Sequence, residues 1–322
     1  MGSKPIDLWN PFQIQKEIEL TQEGIMVHPS LLPKQYIDES IRVGSTVRCR
    51  LEYGKLEFRG GYGSIYRAKR TTIEGSIDVC IKVPHTSSFS LCPEAILQWV
   101  AEQRLQAAGI CGAVAHIYDI FQYAGEVRVA MSFVEGVSLL DFILNSATPE
   151  TAFLQALAQV SFLLAYLEET LHLDHRDLKG DNIWIRPSPI EYSANIGGKE
   201  RKISAPFQVV LLDFGFSCLG VDGSAIVSLS DGILPRIDPC PKEGRDLFQL
   251  IASLWSIPLF RGKMGPVLQK DIEKLLSYKN KPYASLVKQT EEISWIYLLV
   301  SDSEFKHPPL HPLSLLNALS GV

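Results

Sequence analysis

Near residue 135 a strand-rich first part of this chain gives way to a helix-rich second part, and that change limits the fold more than any other feature. From Thr46 to Lys82 apolar side chains alternate in short runs: Val47-Arg48-Cys49-Arg50-Leu51, then Ser64-Ile65-Tyr66-Arg67-Ala68, then Ile77-Asp78-Val79-Cys80-Ile81-Lys82. Period-two runs punctuated by glycine are the pattern of strands. Pro93 to Ala108 reads as a helix, with Pro93 and Glu94 suited to its first turn, and Val127 to Val134 as another strand. Beyond residue 135 the period becomes helical. Thr148 and Pro149 open a long amphipathic helix through Leu171, apolar at 153, 154, 157, 160, 163, 164 and 167. Strands first and helices second predict an α+β molecule in two lobes. The 322 residues, 46% of them hydrophobic, suffice for one large domain or for two lobes.

Residues 1–45 carry Pro5, Pro11, Pro29 and Pro33 and no sustained period, so an N-terminal extension is expected there. The domain proper is expected over 46–322, its first lobe over about 46–134 and its second over about 135–322. Ser188 to Pro206 is polar, contains Gly197-Gly198, and predicts an inserted hairpin or loop. A formal charge of −5, from 31 basic and 36 acidic residues, argues against a nucleic-acid binder, which carries a basic face. The most apolar stretch, Phe153 to Leu171, is interrupted by Gln155, Gln159, Glu168 and Glu169, so no membrane span is expected. No apolar leader region follows Met1, and Ile6 stands where an acyl anchor on Gly2 needs Ser or Thr. Six cysteines (49, 80, 92, 111, 218, 240) form no C-x-x-C pair and are read as free thiols of a reducing compartment. A soluble intracellular protein, cytoplasmic or nuclear, is the expectation.

Directly after the long helix comes His175-Arg176-Asp177-Leu178-Lys179-Gly180-Asp181-Asn182. Phosphoryl transfer asks little covalent chemistry of a protein but strict placement of charge. A carboxylate must take or orient the proton of the attacking hydroxyl, a lysine must offset charge on the γ-phosphate, and an amide oxygen helps hold a metal. Asp177, Lys179 and Asn182 bring these three groups within six residues. Further on, the apolar run Val209-Val210-Leu211-Leu212 ends in Asp213-Phe214-Gly215, an aspartate where a chelated Mg²⁺ would bridge phosphates. Phe58-Arg59-Gly60-Gly61-Tyr62-Gly63-Ser64-Ile65 is a glycine-rich turn whose backbone amides can approach phosphate.

The octapeptide resembles the catalytic loop of the eukaryotic protein kinase family, H-R-D-L-K-x-x-N, and Asp213-Phe214-Gly215 resembles its D-F-G segment. Val79-Cys80-Ile81-Lys82 is similar to its V-A-I-K strand. The resemblance spans roughly residues 50–260 and implies a two-lobed kinase-like fold that binds ATP with Mg²⁺, or Mn²⁺. It implies Asp177 and Lys179 as catalytic residues, and Asp213 and Asn182 as metal ligands, with Phe214 packed beneath. It implies that Lys82 contacts the α- and β-phosphates, that Gly60, Gly61, Gly63 and Ile65 cover the nucleotide, and that Phe133, in the hinge-like segment Met131–Gly136, helps bind it. A glutamate should hold Lys82. Glu94 opens the following helix and Glu102 lies eight residues on along roughly the same face; an ungapped count back from the hinge-like segment favours Glu102, while the local run Glu94-Ala95-Ile96-Leu97 favours Glu94, which is preferred by a small margin. Gly244-Arg245-Asp246-Leu247-Phe248 resembles the start of the family's central helix, which implies that Asp246 braces the catalytic loop.

The chain departs from the family in three places. Phe58 replaces the first glycine of G-x-G-x-x-G, no A-P-E segment lies between Gly215 and Asp246, and Ser224 to Pro241 reads as irregular. Ser217, Ser224, Ser228 and Ser230 are candidate phosphorylation sites in that region. The function expected is a serine/threonine kinase acting on a protein substrate, because Lys179 follows Asp177 by two residues as in the serine/threonine branch. The alternatives are a pseudokinase scaffold and a small-molecule kinase of the same fold. Against the last, such enzymes usually carry H-G-D or H-N-D where this chain has His175-Arg176-Asp177.

Overall fold

The alternating runs between residues 46 and 84 each have one apolar face to bury, and closing the sheet on itself removes that face from water without leaving a strand edge. In the computed structural model, which describes residues 32–61, 63–86, 91–221, 224–228, 241–288, 302 and 304–319, that is the outcome. Strands β1 (Lys34–Gln35), β2 (Ser40–Val43), β3 (Thr46–Arg59), β4 (Gly63–Thr72), β5 (Gly75–Pro84), β6 (Ile117–Tyr123) and β7 (Glu126–Ser132) close in the order β1-β2-β3-β4-β5-β7-β6. The closing contact is parallel, Lys34 against Gln122, and every other pairing in the barrel is antiparallel. Ile41, Cys49, Leu51, Val79, Ile81 and Phe121 form its apolar core. The Asp119 carboxylate is fully buried and pairs with Arg70 Nε at 2.6 Å.

The chain divides into two compact units, Met1–Gln103 with Ala115–Val134 and Arg104–Val114 with Glu135–Val322. Barrel residues thus begin at Lys34, ahead of the boundary expected at 46. Strands of two and four residues are too short to impose a period on the sequence, which is why the segment reads as featureless. Residues 1–31 of the expected extension lie outside the described residues, as do Tyr62, Ser230 and Cys240. Helix α1 (Cys92–Ala107) follows β5.

In the second unit, β8 (Val137–Ser138), α2 (Leu139–Asn145) and α3 (Pro149–Leu171) precede the short strand β9 (Leu173–Asp174). Helix α3 starts at Pro149, whose missing N–H costs nothing in a first turn, and ends at His172 in the left-handed region (φ 49°). By length and composition α3 could cross a membrane, but 72% of its most apolar stretch is buried within the fold, the mark of a core helix. Strands β10 (Ile183–Arg186), β11 (Ile190–Ile196), β12 (Lys199–Ala205) and β13 (Gln208–Leu211) follow. β11 and β12 form the hairpin foreseen for Ser188–Pro206, turning at Gly197 and Gly198 (φ 62° and 71°), conformations that suit a tight two-residue hairpin turn. Its inner face, Ile190, Tyr192, Ala194 and Ile196, is buried.

Next come β14 (Cys218–Val221) and β15 (Ser224–Ser228), paired antiparallel, with β14 also paired to β9. Ser224–Ser228 is therefore a strand and not irregular. The β-branched pair Ile226-Val227 supplies the β-preference that the surrounding glycines and serines mask. Cys218 is disulfide-bonded, which corrects the reading of all six cysteines as free thiols. Cys49, Cys80, Cys92 and Cys111 form no disulfide. Helices α4 (Arg245–Ser256), α5 (Pro258–Lys263), α6 (Pro266–Leu275), the short pair β16 (Ser277–Tyr278) and β17 (Lys281–Pro282), α7 (Tyr283–Val287) and α8 (Pro312–Ala318) complete the unit. α4 is buried along its length, from Arg245 to Trp255.

Candidate functional site

The expected site residues form two constellations, one in each unit. In the first, β5 delivers Lys82, which pairs with Ile65 of β4 across the ladder. The Lys82 ammonium is largely buried and meets the Glu94 carboxylate at 2.5 Å. Glu94 lies in the first turn of α1, where an acid also complements the helix dipole. Glu102, the other candidate, is engaged elsewhere: its Oε1 lies 2.8 Å from His116 Nδ1. Phe133 is half-buried beneath the Arg67 guanidinium, which stands 4.3 Å from its ring centroid.

The glycine-rich turn between β3 and β4 is fixed by backbone. The Gly60 N–H donates to the Gly63 carbonyl at 2.9 Å. A Cβ on Gly63 would stand 2.7 Å from the Val83 carbonyl oxygen, so only glycine lets β4 and β5 run this close. Phe58, in the place of the first glycine, is 62% exposed. Its ring edge would stand 3.1 Å from a Cβ on Gly60. His85, one residue past β5, places its Nε2 at 2.8 Å from the Gly60 carbonyl. His85 belongs to none of the sequence motifs. Its only signal was position, one residue beyond Pro84, the register partner of Gly63.

In the second unit the octapeptide crosses from β9 to β10. Asp246, buried in the first turn of α4, accepts the backbone N–H of His175 at 2.6 Å and of Arg176 at 2.8 Å. Arg176 adopts φ 64° and Asp213 φ 60°, a left-handed conformation rare for residues other than glycine. Two such residues close together show that the surrounding hydrogen bonds dictate the backbone. His175 is buried, its Nε2 lies 2.9 Å from the Leu212 carbonyl, and its ring packs 5.0 Å from that of Phe214. Ser217 is fully buried and donates to the His175 carbonyl at 3.2 Å, so as a candidate phosphorylation site it is closed to solvent.

Asp177, Lys179 and Asn182 come together as one group. Lys179 Nζ lies 3.4 Å from Asp177 Oδ2. The Asn182 side-chain nitrogen donates to the Asp177 carbonyl at 2.7 Å and to its Oδ2 at 2.9 Å. Asn182 is also tied to the strand before Asp213, since the Leu212 N–H donates to its carbonyl at 2.9 Å. Burial pushes the Asp177 carboxyl above the usual carboxylate range; Lys179 and His175 oppose that shift, and the Asp213 charge adds to it.

No group of three or more His, Cys, Asp or Glu side chains is placed to hold a metal ion among the described residues. A magnesium ion that arrives with nucleotide needs fewer protein ligands, because phosphate and water supply the rest. The residues fit that demand. With its amide nitrogen spent on Asp177, Asn182 keeps its amide oxygen as a hard donor, and Asp213 is exposed with a carboxylate close enough to repel Asp177.

Comparison with known proteins agrees in kind. The serine/threonine-protein kinase pkn2 of Myxococcus xanthus is 30% identical over 171 residues, 53% of this chain and 18% of that protein. Mitogen-activated protein kinase kinase 1 of Arabidopsis thaliana is 24% identical over 210 residues, 65% of this chain and 52% of that protein. Dual specificity mitogen-activated protein kinase kinase 1 of Dictyostelium discoideum is 37% identical over 73 residues, 22% of this chain and 11% of that protein. The chain thus spans between 11% and 52% of the length of these relatives. No protein-family model matches it. These partial likenesses at low identity point to a protein-kinase-like family, and the mixed strand and helix content is compatible with a kinase-like α+β fold.

Proposed function

We propose that this chain is an ATP- and Mg²⁺-dependent serine/threonine kinase that transfers the γ-phosphate to a protein hydroxyl. The observation that carries the reading is the group Asp177–Lys179–Asn182, tied to the strand before Asp213 and braced by Asp246. Asp177 takes the proton of the attacking hydroxyl as the new O–P bond forms and the bond to the ADP oxygen breaks. Its raised carboxyl pKa makes it a better proton acceptor than an exposed aspartate. Lys179 offsets charge on the transferred group, and Lys82, held by Glu94, binds the α- and β-phosphates. Asp213 and the Asn182 amide oxygen would hold the magnesium, which would neutralise charge on the phosphates.

One observation favours a second reading, a nucleotide-binding pseudokinase: an exposed aromatic ring, Phe58, stands where the family pattern has glycine. Transfer of labelled γ-phosphate from ATP, to the chain itself and to a generic basic protein, decides between them. Asp177→Asn should abolish transfer and spare magnesium-dependent ATP binding, whereas Asp213→Asn should remove both. Binding without transfer in the unaltered chain would favour the second reading or a small-molecule kinase of the same fold.

A further inference from the structure

Deepening the proposed function and resting on it, we propose that His85 is a positioning residue that sets the direction of the phosphate-binding amide in the glycine-rich turn. The His85 Nε2 lies 2.8 Å from the Gly60 carbonyl oxygen. A carbonyl only accepts, so the ring nitrogen donates, and both the Nε2–H tautomer and the doubly protonated ring can do so. The Gly60–Gly61 peptide is planar and trans, so its carbonyl and the Gly61 N–H point in opposite directions. Fixing the carbonyl on His85 therefore fixes the Gly61 N–H on the other side of the plane. Gly61 itself is exposed, and a Cβ built on it would meet nothing within 4 Å.

Among the described residues, the hydrogen bond from His85 is what holds that carbonyl. Glycines at both ends let the plane flip at small steric cost. The Gly60 N–H is already used on the Gly63 carbonyl at 2.9 Å, which closes the turn but leaves the next peptide plane unset. His85 is carried there by the ladder: Gly63 pairs with Pro84, and His85 is the next residue. An amide held in one direction binds an anion without first paying to orient itself.

The test compares ATP binding by calorimetry, and KM against kcat, for the full chain and two variants. His85→Phe keeps a ring and drops the donor; His85→Gln keeps an N–H donor of similar reach. Loss of one hydrogen bond of ordinary strength predicts about fivefold weaker ATP binding for His85→Phe. KM should rise by the same factor, with kcat within twofold, and His85→Gln should restore most of the affinity. A general loosening of the barrel would lower kcat and thermal stability in both variants alike. His85→Phe binding ATP as the unaltered chain does, or His85→Gln failing to differ from it, would overturn the proposal while leaving the kinase reading standing. If the unaltered chain bound no ATP, the proposed function itself would fall and this inference with it.

Discussion

Replacing Asp246 with asparagine should damage this protein far more than an isosteric change usually does. The Asp246 carboxylate accepts two buried N–H groups, from His175 at 2.6 Å and Arg176 at 2.8 Å. An asparagine can accept one of them through its oxygen, but its NH₂ then faces the other donor. One charge-assisted hydrogen bond is lost, about 1.5–3 kcal/mol, and one buried N–H is left unsatisfied, about 1–3 kcal/mol more. Arg176 can then leave its left-handed conformation, φ 64°, and recover about 1–2 kcal/mol. The net cost is about 2–4 kcal/mol, a large part of the roughly 5–15 kcal/mol that holds a domain together. At about 2–4 °C per kcal/mol for chains of this class, the melting temperature should fall by about 5–15 °C. Relaxation at Arg176 also shifts its neighbour Asp177, so turnover should fall further than stability. Thermal melts read the first effect, and amide hydrogen exchange at His175 and Arg176 reads the cause. A variant that melts within about 2 °C of the parent, with both amides still protected, would refute the bracing argument.

Other consequences can be checked the same way. Gly63→Ala drives a Cβ to 2.7 Å from the Val83 carbonyl and should destabilise the protein by about 1–3 kcal/mol, whereas Gly61→Ala, with nothing within 4 Å, should change stability by less than about 0.5 kcal/mol; denaturant melts compare them. Asp177 has a carboxyl pKa raised in the folded state, so its contribution to stability is full below the ordinary value of 3.8 and lost as pH rises through the folded value. Asp177→Asn should therefore match the parent in melting temperature below pH 3.8 and exceed it at pH 7; an equal gap at both pH values would contradict this. Alkylation under native conditions should label exposed Cys111 first. Burial pushes the Cys49 and Cys92 thiols up to about 12 and that of Cys80 to about 11, which should leave them slow. The Cys218 peptide should take up label only after reduction, as read by peptide mass spectrometry.

The sequence by itself determined what depends on neighbours close along the chain. The helix at Pro149–Leu171 was visible because one face repeats every three or four residues. The octapeptide was visible because Asp177, Lys179 and Asn182 lie within one turn of backbone, so spacing alone puts them in reach of one another. The strands from Thr46 to Pro84 showed their period because they are ten to fourteen residues long. The glycine pair at 197 and 198 marked a hairpin for the same local reason.

Tertiary structure decided what depends on residues far apart. Two glutamates on one face of α1 are equivalent in sequence; the fold gives Lys82 to Glu94 and His116 to Glu102. Lys34 meets Gln122 across 88 positions to close the barrel, a contact for which strands of two residues leave no trace in the pattern. The disulfide at Cys218 was equally silent, since a lone cysteine carries no record of its partner. His85 falls between the two cases. It is fixed only because β4 and β5 run so close that Gly63 sits against the Val83 backbone, which sets the next residue but one beside the Gly60 carbonyl. Periodicity encodes which face of an element is buried; which partner waits on the other side is set by packing, where many weak contacts are summed at once.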